Sequence, residues 1–299
     1  MKSFRSGFVA IIGRPNVGKS TFLNYLIQEK VSISSPKPQT TRDQIRGIYT
    51  TDDLQIVFID TPGIHKAKHE LGKVMNQAAT DPLRDVDLVL WMIDATYDFK
   101  EGEHHVASLL AKVTTPIFLI VNKIDLVVDK NRLMTTIAKF HEAVKFEETY
   151  YISSKTGEYV PLLVEAIGHL MPEGPLYYPK EQITDQPESF MVAELIREKV
   201  LYLTQEEIPH SVAVVIESMK KDEDGLLHIE ALIYVERDSQ KKIIIGKNGL
   251  MMKEIGTQAR KEINILLGVK TFLNIWVKVE KDWRNKKGQL KRMGYEPER

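Results

Sequence analysis

Eight residues near the start of the chain, Gly13-Arg14-Pro15-Asn16-Val17-Gly18-Lys19-Ser20, constrain the fold more than any other stretch. They stand between an apolar run at 8–12 and a helical pattern over 19–28, so they read as strand, glycine-rich loop, helix. Such a unit opens an α/β layer structure, in which the helix packs back on the sheet that contains the strand. The loop also carries chemistry. Glycines let successive backbone N–H groups turn inward around a phosphate, and the helix presents its positive end to the anion. Lys19 is expected to bridge the β- and γ-phosphates of a nucleotide, and Ser20 to set its hydroxyl on Mg²⁺.

The rest of the N-terminal half keeps the alternation going. Apolar runs at 56–59, 88–93, 117–121 and 149–152 are separated by helical patterns over 104–112, 130–146 and 160–170. Their hydrophobicity is nearly continuous, which predicts strands covered on both faces of a mostly parallel sheet. Residues 44–51, the polar turn 51–53 and the run 56–59 predict a hairpin that adds one antiparallel edge strand. A break follows. Pro172, Gly174, Pro175, Pro179 and Pro187 are too many for a helix or a central strand. The expected organisation is a domain over 1–173, a linker over 174–187 and a second domain over 188–299. The second domain reads as a helix (189–203), two strands (211–219 and 226–235) and a helix–turn–helix centred on Gly246 and Gly249. A strand (271–279) and a basic C-terminal helix beginning near Asp282 complete it. The fold class is α/β followed by a smaller α+β domain.

Composition narrows the setting. Hydrophobic residues are 43% and charged residues 27% of the 299, ordinary values for a soluble globular chain. No apolar run nears the roughly 20 residues of a membrane span, and residues 1–8 lack the apolar core of a signal peptide. With no cysteine, disulfides and thiolate metal sites are excluded. A cytoplasmic location is expected. The net charge of zero hides an asymmetry: residues 237–293 hold 15 Lys/Arg against 5 Asp/Glu, whereas 186–236 hold 4 against 11. One basic surface for a polyanion is the implication.

Asp60-Thr61-Pro62-Gly63-Ile64 follows the run at 56–59, about forty residues after the phosphate loop. An aspartate at that strand end is where an outer-sphere magnesium ligand belongs, and the Gly63 amide can reach a γ-phosphate. Between the two motifs lies a polar, aperiodic segment containing Gln39-Thr40-Thr41-Arg42-Asp43. A threonine here can reach Mg²⁺ only when the γ-phosphate is present, which makes the segment a switch. Thr41 is the first choice for that ligand and Thr40 the alternative. Asn122-Lys123-Ile124-Asp125 ends the run at 117–121. Guanine presents N1–H and N2–H₂ side by side, and Asp125 can accept from both; adenine offers no such pair. Asn122 is expected to tie the phosphate loop to the base edge, with the Lys123 stem over the ring. Ser153-Ser154-Lys155 can supply an amide to the guanine oxygen, and the serine pair also suits a helix N-cap. GTP or GDP with Mg²⁺ is therefore the expected ligand.

Ile64 stands where a water-orienting glutamine would be useful, and it has no polar group. Asn16, with the loop around 35–40, is expected to hold a monovalent cation, K⁺, against the phosphates instead. His65, His69, His104 and His105 lack third ligands, so no metal besides Mg²⁺ is expected.

In the second domain, Ile245-Gly246-Lys247-Asn248-Gly249 makes a Gly-x-x-Gly turn between helices, of the kind that clamps about four nucleotides of single-stranded RNA. Lys253 and Arg260 add charge beside it. Trp283, Arg284, Lys286 and Lys287 mix cations with an aromatic suited to stacking on bases. A basic helix lying on a membrane surface is the other reading of this region.

Taken together, these segments resemble the bacterial Era-type GTPases, and the resemblance spans nearly the whole chain. Gly-Arg-Pro-Asn-Val-Gly-Lys-Ser, Gln-Thr-Thr-Arg, Asp-Thr-Pro-Gly-Ile-His and Asn-Lys-Ile-Asp are all of that type. The most discriminating is Glu236-Arg237-Asp238-Ser239-Gln240-Lys241 leading into the Gly-x-x-Gly turn. Asn248 replaces that family's usual glycine and tolerates left-handed backbone. The resemblance implies a Ras-like P-loop GTPase domain followed by a type II KH domain. It also implies an assembly factor for the small ribosomal subunit that binds the 3′ end of the small-subunit rRNA, with GTP favouring the RNA-competent arrangement. Partial association with the inner membrane surface is implied as well, and no DNA partner. A signalling GTPase that docks on membrane or protein, and a P-loop phosphotransferase with a small acceptor, are the competing readings.

Overall fold

The computed structural model describes residues 3–37, 39–67, 69–205 and 207–295. These fold as two compact units. The first comprises the described residues up to Ser32, those of Thr41–Lys68, and Met75–Asp185. The second comprises the described residues of Ile33–Thr40, His69–Val74 and Gln186–Arg299.

The first unit is built on a six-stranded sheet of order β2-β3-β1-β4-β5-β6. Its strands are β1 (Arg5–Ile12), β2 (Ile45–Thr50), β3 (Leu54–Asp60), β4 (Leu88–Asp94), β5 (Ile117–Asn122) and β6 (Glu148–Ile152). β2 pairs antiparallel with β3 and every other pairing is parallel, as the hairpin and the continuous apolar runs predicted. β4 and β5 are buried at every position, the signature of strands covered on both faces. Helices α1 (Lys19–Ile27), α2 (Glu70–Thr80, of which only Met75 onward falls in this unit), α3 (Glu101–Leu110), α4 (Lys130–Ala143) and α5 (Val160–Leu170) complete the alternation. Trp91, fully buried, packs edge-on against Phe140 with ring centroids 5.1 Å apart. Helix α2 was not expected. Its signal was nevertheless present: Leu71, Met75 and Ala79, four residues apart and all buried, form one helical stripe.

The proline-rich stretch read as a linker is largely part of this first unit. β2 is an edge strand, and its outward backbone groups need partners. Residues 183–185 supply them: Ile48 N–H donates to Ile183 O at 2.9 Å and Thr184 Oγ1 to Arg46 O at 2.7 Å, while Arg46 pairs with Asp185 at 2.6 Å. Prolines forbid a regular strand there, but isolated edge bonds remain available.

The second unit runs α6 (Glu188–Leu203), α7 (Ile208–Ser211), β7 (Ala213–Lys221), β8 (Leu227–Val235), α8 (Asp238–Ile245), α9 (Leu250–Leu267), β9 (Thr271–Val279) and α10 (Lys287–Arg292). β7 and β8 are antiparallel, whereas β8 and β9 are parallel. Ile229, Ala231, Ile233 and Val235, alternate residues of β8, meet Ile255, Ala259 and Ile263, one face of α9, in a dry core. Ile33 belongs to the same core and is 2% exposed. α6 carries charge inside this unit. Arg197 pairs with Glu194 at 2.6 Å and donates to the Thr40 carbonyl, and Glu198 Oε1 accepts from Ser34 N–H at 3.2 Å.

The C-terminal helix does not start at Asp282. That residue is left-handed (φ 56°), a single 3₁₀ turn spans Trp283–Asn285, and α10 begins only after the extended Lys286.

Candidate functional site

In a mostly parallel sheet, ligands gather at the carboxyl ends of the strands. Gly13 follows β1, Asp60 ends β3, Asp94 ends β4, Asn122 ends β5 and Ser153 follows β6. β2 runs the other way and its first residue, Ile45, lies opposite Asp60, so the preceding Thr41–Asp43 arrives at this same edge. Sheet topology thus collects motifs that are up to 140 residues apart in sequence.

Within the phosphate loop, Gly18 is left-handed at φ 108°, and a Cβ there would lie 2.2 Å from Asn122 Nδ2, so both backbone and space demand glycine. Lys19 is buried and donates to Arg14 O at 3.1 Å. Burial brings its pKa down to about 8, against the opposing pull of Asp60. Arg14 turns to Glu103 at 3.2 Å.

Ser20, Thr41 and Asp60 come together. Ser20 Oγ donates to Asp60 Oδ2 at 2.7 Å and lies 2.9 Å from Thr41 Oγ1. Thr40, the alternative, turns its hydroxyl to Ser35 Oγ and Lys37 O, at 2.8 and 2.7 Å. Burial pushes the Asp60 carboxyl up from its ordinary range, opposed by Lys19 and by hydrogen bonds from Ser20, Ser32 and Thr41. Asp60 Oδ1 is buried without a hydrogen-bond partner among the described residues. A costly orphan of that kind, beside two hydroxyls, fits a hard cation that takes oxygen ligands and keeps its own waters. Ser20 and Thr41 would hold Mg²⁺, with Asp60 accepting from its water shell. When bound, the ion supplies positive charge against the phosphates.

Thr61 Oγ1 donates to Ile11 O at 2.8 Å, and the Ile64 N–H to Gly13 O at 3.1 Å, tying this loop to the phosphate loop. A Cβ on Gly63 would come within 2.8 Å of Pro15 backbone atoms. The Ile64 side chain is buried in the apolar core and offers nothing to a water molecule.

Asn122 binds two loops at once: Nδ2 donates to Val17 O at 2.8 Å, and Oδ1 accepts from Ser154 N–H and Oγ, both at 2.9 Å. Ser153 and Ser154 are therefore not helix caps; α5 begins after Tyr159. Lys123 donates to Asn16 O at 2.7 Å and pairs with Asp94 at 2.6 Å. Asp125 stands exposed on the 3₁₀ turn Ile124–Leu126, available to a base, and Lys155 is also exposed. Asp94 was missed, although an acidic residue closing an all-apolar strand was the available signal.

In the second unit the Gly-x-x-Gly turn has Gly246 at φ 73°, ψ 174°, a region essentially confined to glycine. Asn248 (φ 52°) and Gly249 (φ 77°) are left-handed, while Lys247 and Asn248 are exposed. Beside it lies a groove lined by Lys253, Gly256 and Arg260 of α9 and by Leu273, Asn274 and Ile275 of β9. Upstream, Gln240 Oε1 accepts from the Glu236 and Arg237 N–H groups at 2.9 and 3.1 Å, which starts α8. Trp283 corrects an expectation. It is fully buried, donates to Ser211 O at 3.0 Å and stacks on Tyr295, so it is a core residue and not a platform for bases. Arg284 is likewise turned inward, paired with Glu236 at 2.5 Å. Lys286 and Lys287 are exposed.

A phosphate loop, a hydroxyl–carboxylate cation site and an Asn-Lys-x-Asp base site on one sheet edge define a P-loop GTPase, here followed by a KH module. Residues 8–123 match the family described as 50S ribosome-binding GTPase, and residues 207–284 match the KH domain family. A variant of Aquifex aeolicus Era bound to GDP and AlF4⁻ is 38% identical, with 98% of this chain and 99% of that one aligned at a TM-score of 0.93. Era in complex with MgGDPNP and nucleotides 1506–1542 of 16S ribosomal RNA is 38% identical over the same shares, with a TM-score of 0.94. The chain belongs to the Era family: it is a GTP-binding and GTP-hydrolysing protein with an RNA-binding KH domain.

Proposed function

We propose that the chain is a nucleotide-gated assembly factor for the small ribosomal subunit that grips the 3′ end of the small-subunit rRNA. The observation that carries this is the exposed Lys247-Asn248 turn beside a groove with Lys253 and Arg260 on one side and apolar Leu273 and Ile275 on the other. Cations for phosphates beside apolar walls for bases suit single-stranded RNA. A relative that aligns over 98% of the chain holds nucleotides 1506–1542 of 16S rRNA, which supports the choice of RNA. The work would be done in the cytoplasm, and peripheral membrane contact through the exposed Lys286 and Lys287 is part of the same reading.

The test is a titration of labelled RNA from the rRNA 3′ end with GTP analogue, with GDP and without nucleotide. Binding tightest with the analogue, and lost in the double variant Lys247→Asp/Asn248→Asp, is the expected result. That variant is preferable to any change at Gly246, whose backbone geometry would be strained by a side chain. Equal binding in all three states would remove the gating, and no binding at moderate salt would remove the RNA.

Hydrolysis without a glutamine, Ile64 being buried, supports a K⁺ ion held by Asn16 as the missing positive charge. Equal rates in Na⁺ and K⁺ would end that part of the proposal.

A further inference from the structure

We propose that Ser32 is a positioning residue of the magnesium site, acting through Asp60. The inference rests on the reading of Ser20, Thr41 and Asp60 as the magnesium residues. A carboxylate that is to receive a metal-bound water must be held in one rotation, because the broad torsion about its last bond otherwise lets the two oxygens exchange roles. Asp60 is held by hydroxyls that converge on one oxygen. Ser20 Oγ donates to Oδ2 at 2.7 Å and Ser32 Oγ donates to the same atom at 3.0 Å. Oδ1 is left buried and without a partner among the described residues, as the acceptor that remains for water.

Ser32 is not there by accident of a loop. Asn24 grips it from three sides: Nδ2 donates to Ser32 O at 2.7 Å, and Oδ1 accepts from Ser32 N–H at 3.0 Å and Val31 N–H at 3.1 Å. Asn24 is one helical turn beyond Ser20 on α1, so both point from the same face of that helix. One helix therefore delivers one hydroxyl directly and fixes the second through an amide, and both reach Oδ2. Ser32 is 1% exposed and Asp60 fully buried, so water does not compete for these bonds. Ser32 is also the last residue of the first unit before Ile33, which lies in the core of the second.

The experiment follows release of a fluorescent GDP analogue from the full-length protein against free Mg²⁺ concentration. Ser32→Ala is expected to raise the Mg²⁺ concentration that half-suppresses release by about 10–100-fold, the usual cost of losing an outer-sphere partner of a metal ligand. Nucleotide affinity without Mg²⁺ should be unchanged, whereas a merely structural role would lower it equally with and without the ion. Ser32→Thr, which keeps the hydroxyl, should restore most of the response, and Asn24→Ala should give an intermediate shift. An unchanged Mg²⁺ midpoint in Ser32→Ala would overturn the proposal. Ser20→Ala, run alongside, separates the two ways it can fail. If only Ser20→Ala shifts the midpoint, the magnesium site stands and Ser32 has no part in it. If neither does, the site itself has been misassigned.

Discussion

At the scale of single residues, the most informative side chain is Lys19. Its ammonium is buried, and burial brings its pKa down to about 8 from an ordinary 10.5. Folding thus releases a proton between pH 8 and 10.5, because the unfolded chain still holds it there. This group's contribution to stability therefore rises with pH across that window and is unfavourable below it. Phosphates beside Nζ reverse the sign. They favour the charged form, so binding a nucleotide above pH 8 takes up a proton and affinity falls as pH rises, by at most about tenfold per unit. Calorimetry at pH 8.5 in two buffers of different ionisation enthalpy should show that uptake. Identical heats in both buffers would mean that Lys19 is charged before the nucleotide arrives. The sequence marks Lys19 as a candidate phosphate ligand but does not reveal its depressed pKa, because desolvation depends on what packs over it.

At the scale of elements, the approach of the Asp60–Ile64 loop to the phosphate loop leaves no slack. Gly63 leaves no room for a Cβ, since Pro15 N and Cα would both lie within 2.8 Å and backbone cannot swing aside as a side chain can. Gly63→Ala is expected to push the two loops apart and to lower the single-turnover hydrolysis rate by about 100-fold, the cost of roughly an ångström of misplacement. GDP affinity should hold better, because Asn122 and Asp125 stand at and just after the end of another strand, β5. Equal loss of both would show that the loops move as one body. Elements also explain where reading of the sequence fell short. Apolar runs located five strands of the first sheet and the hairpin reading the sixth, β2, yet composition-based logic took Trp283 for a stacking residue. An aromatic among lysines reads as exposed until its neighbours are known; here Ser211 O accepts its N–H and Tyr295 covers its ring.

At the scale of the whole molecule, the two units are not consecutive in sequence. Ile33–Thr40 belongs to the second although it is flanked by the first on both sides, and Ile33 is 2% exposed in the second unit's core. Ile33→Ala should therefore destabilise the second unit by about 2–4 kcal/mol. Hydrogen exchange would reveal this as faster exchange of α6 and β8 amides than of β4 and β5. Faster exchange in the first sheet alone would contradict this division of the chain.

What the sequence by itself determined was local and periodic. A strand–loop–helix phosphate motif, continuous apolar runs and a Gly-x-x-Gly turn each state their own chemistry within a few residues, because backbone freedom, charge and hydrophobic period are properties of short segments. Tertiary structure alone decided what depends on distance across the fold. It chose Thr41 over Thr40 beside Ser20, joined Asp94 to Lys123, zipped residues 183–185 onto β2, and brought Ser32 to Asp60. Those outcomes follow from strand order and from the need of buried polar groups for partners, and no short stretch of sequence contains both members of such a pair.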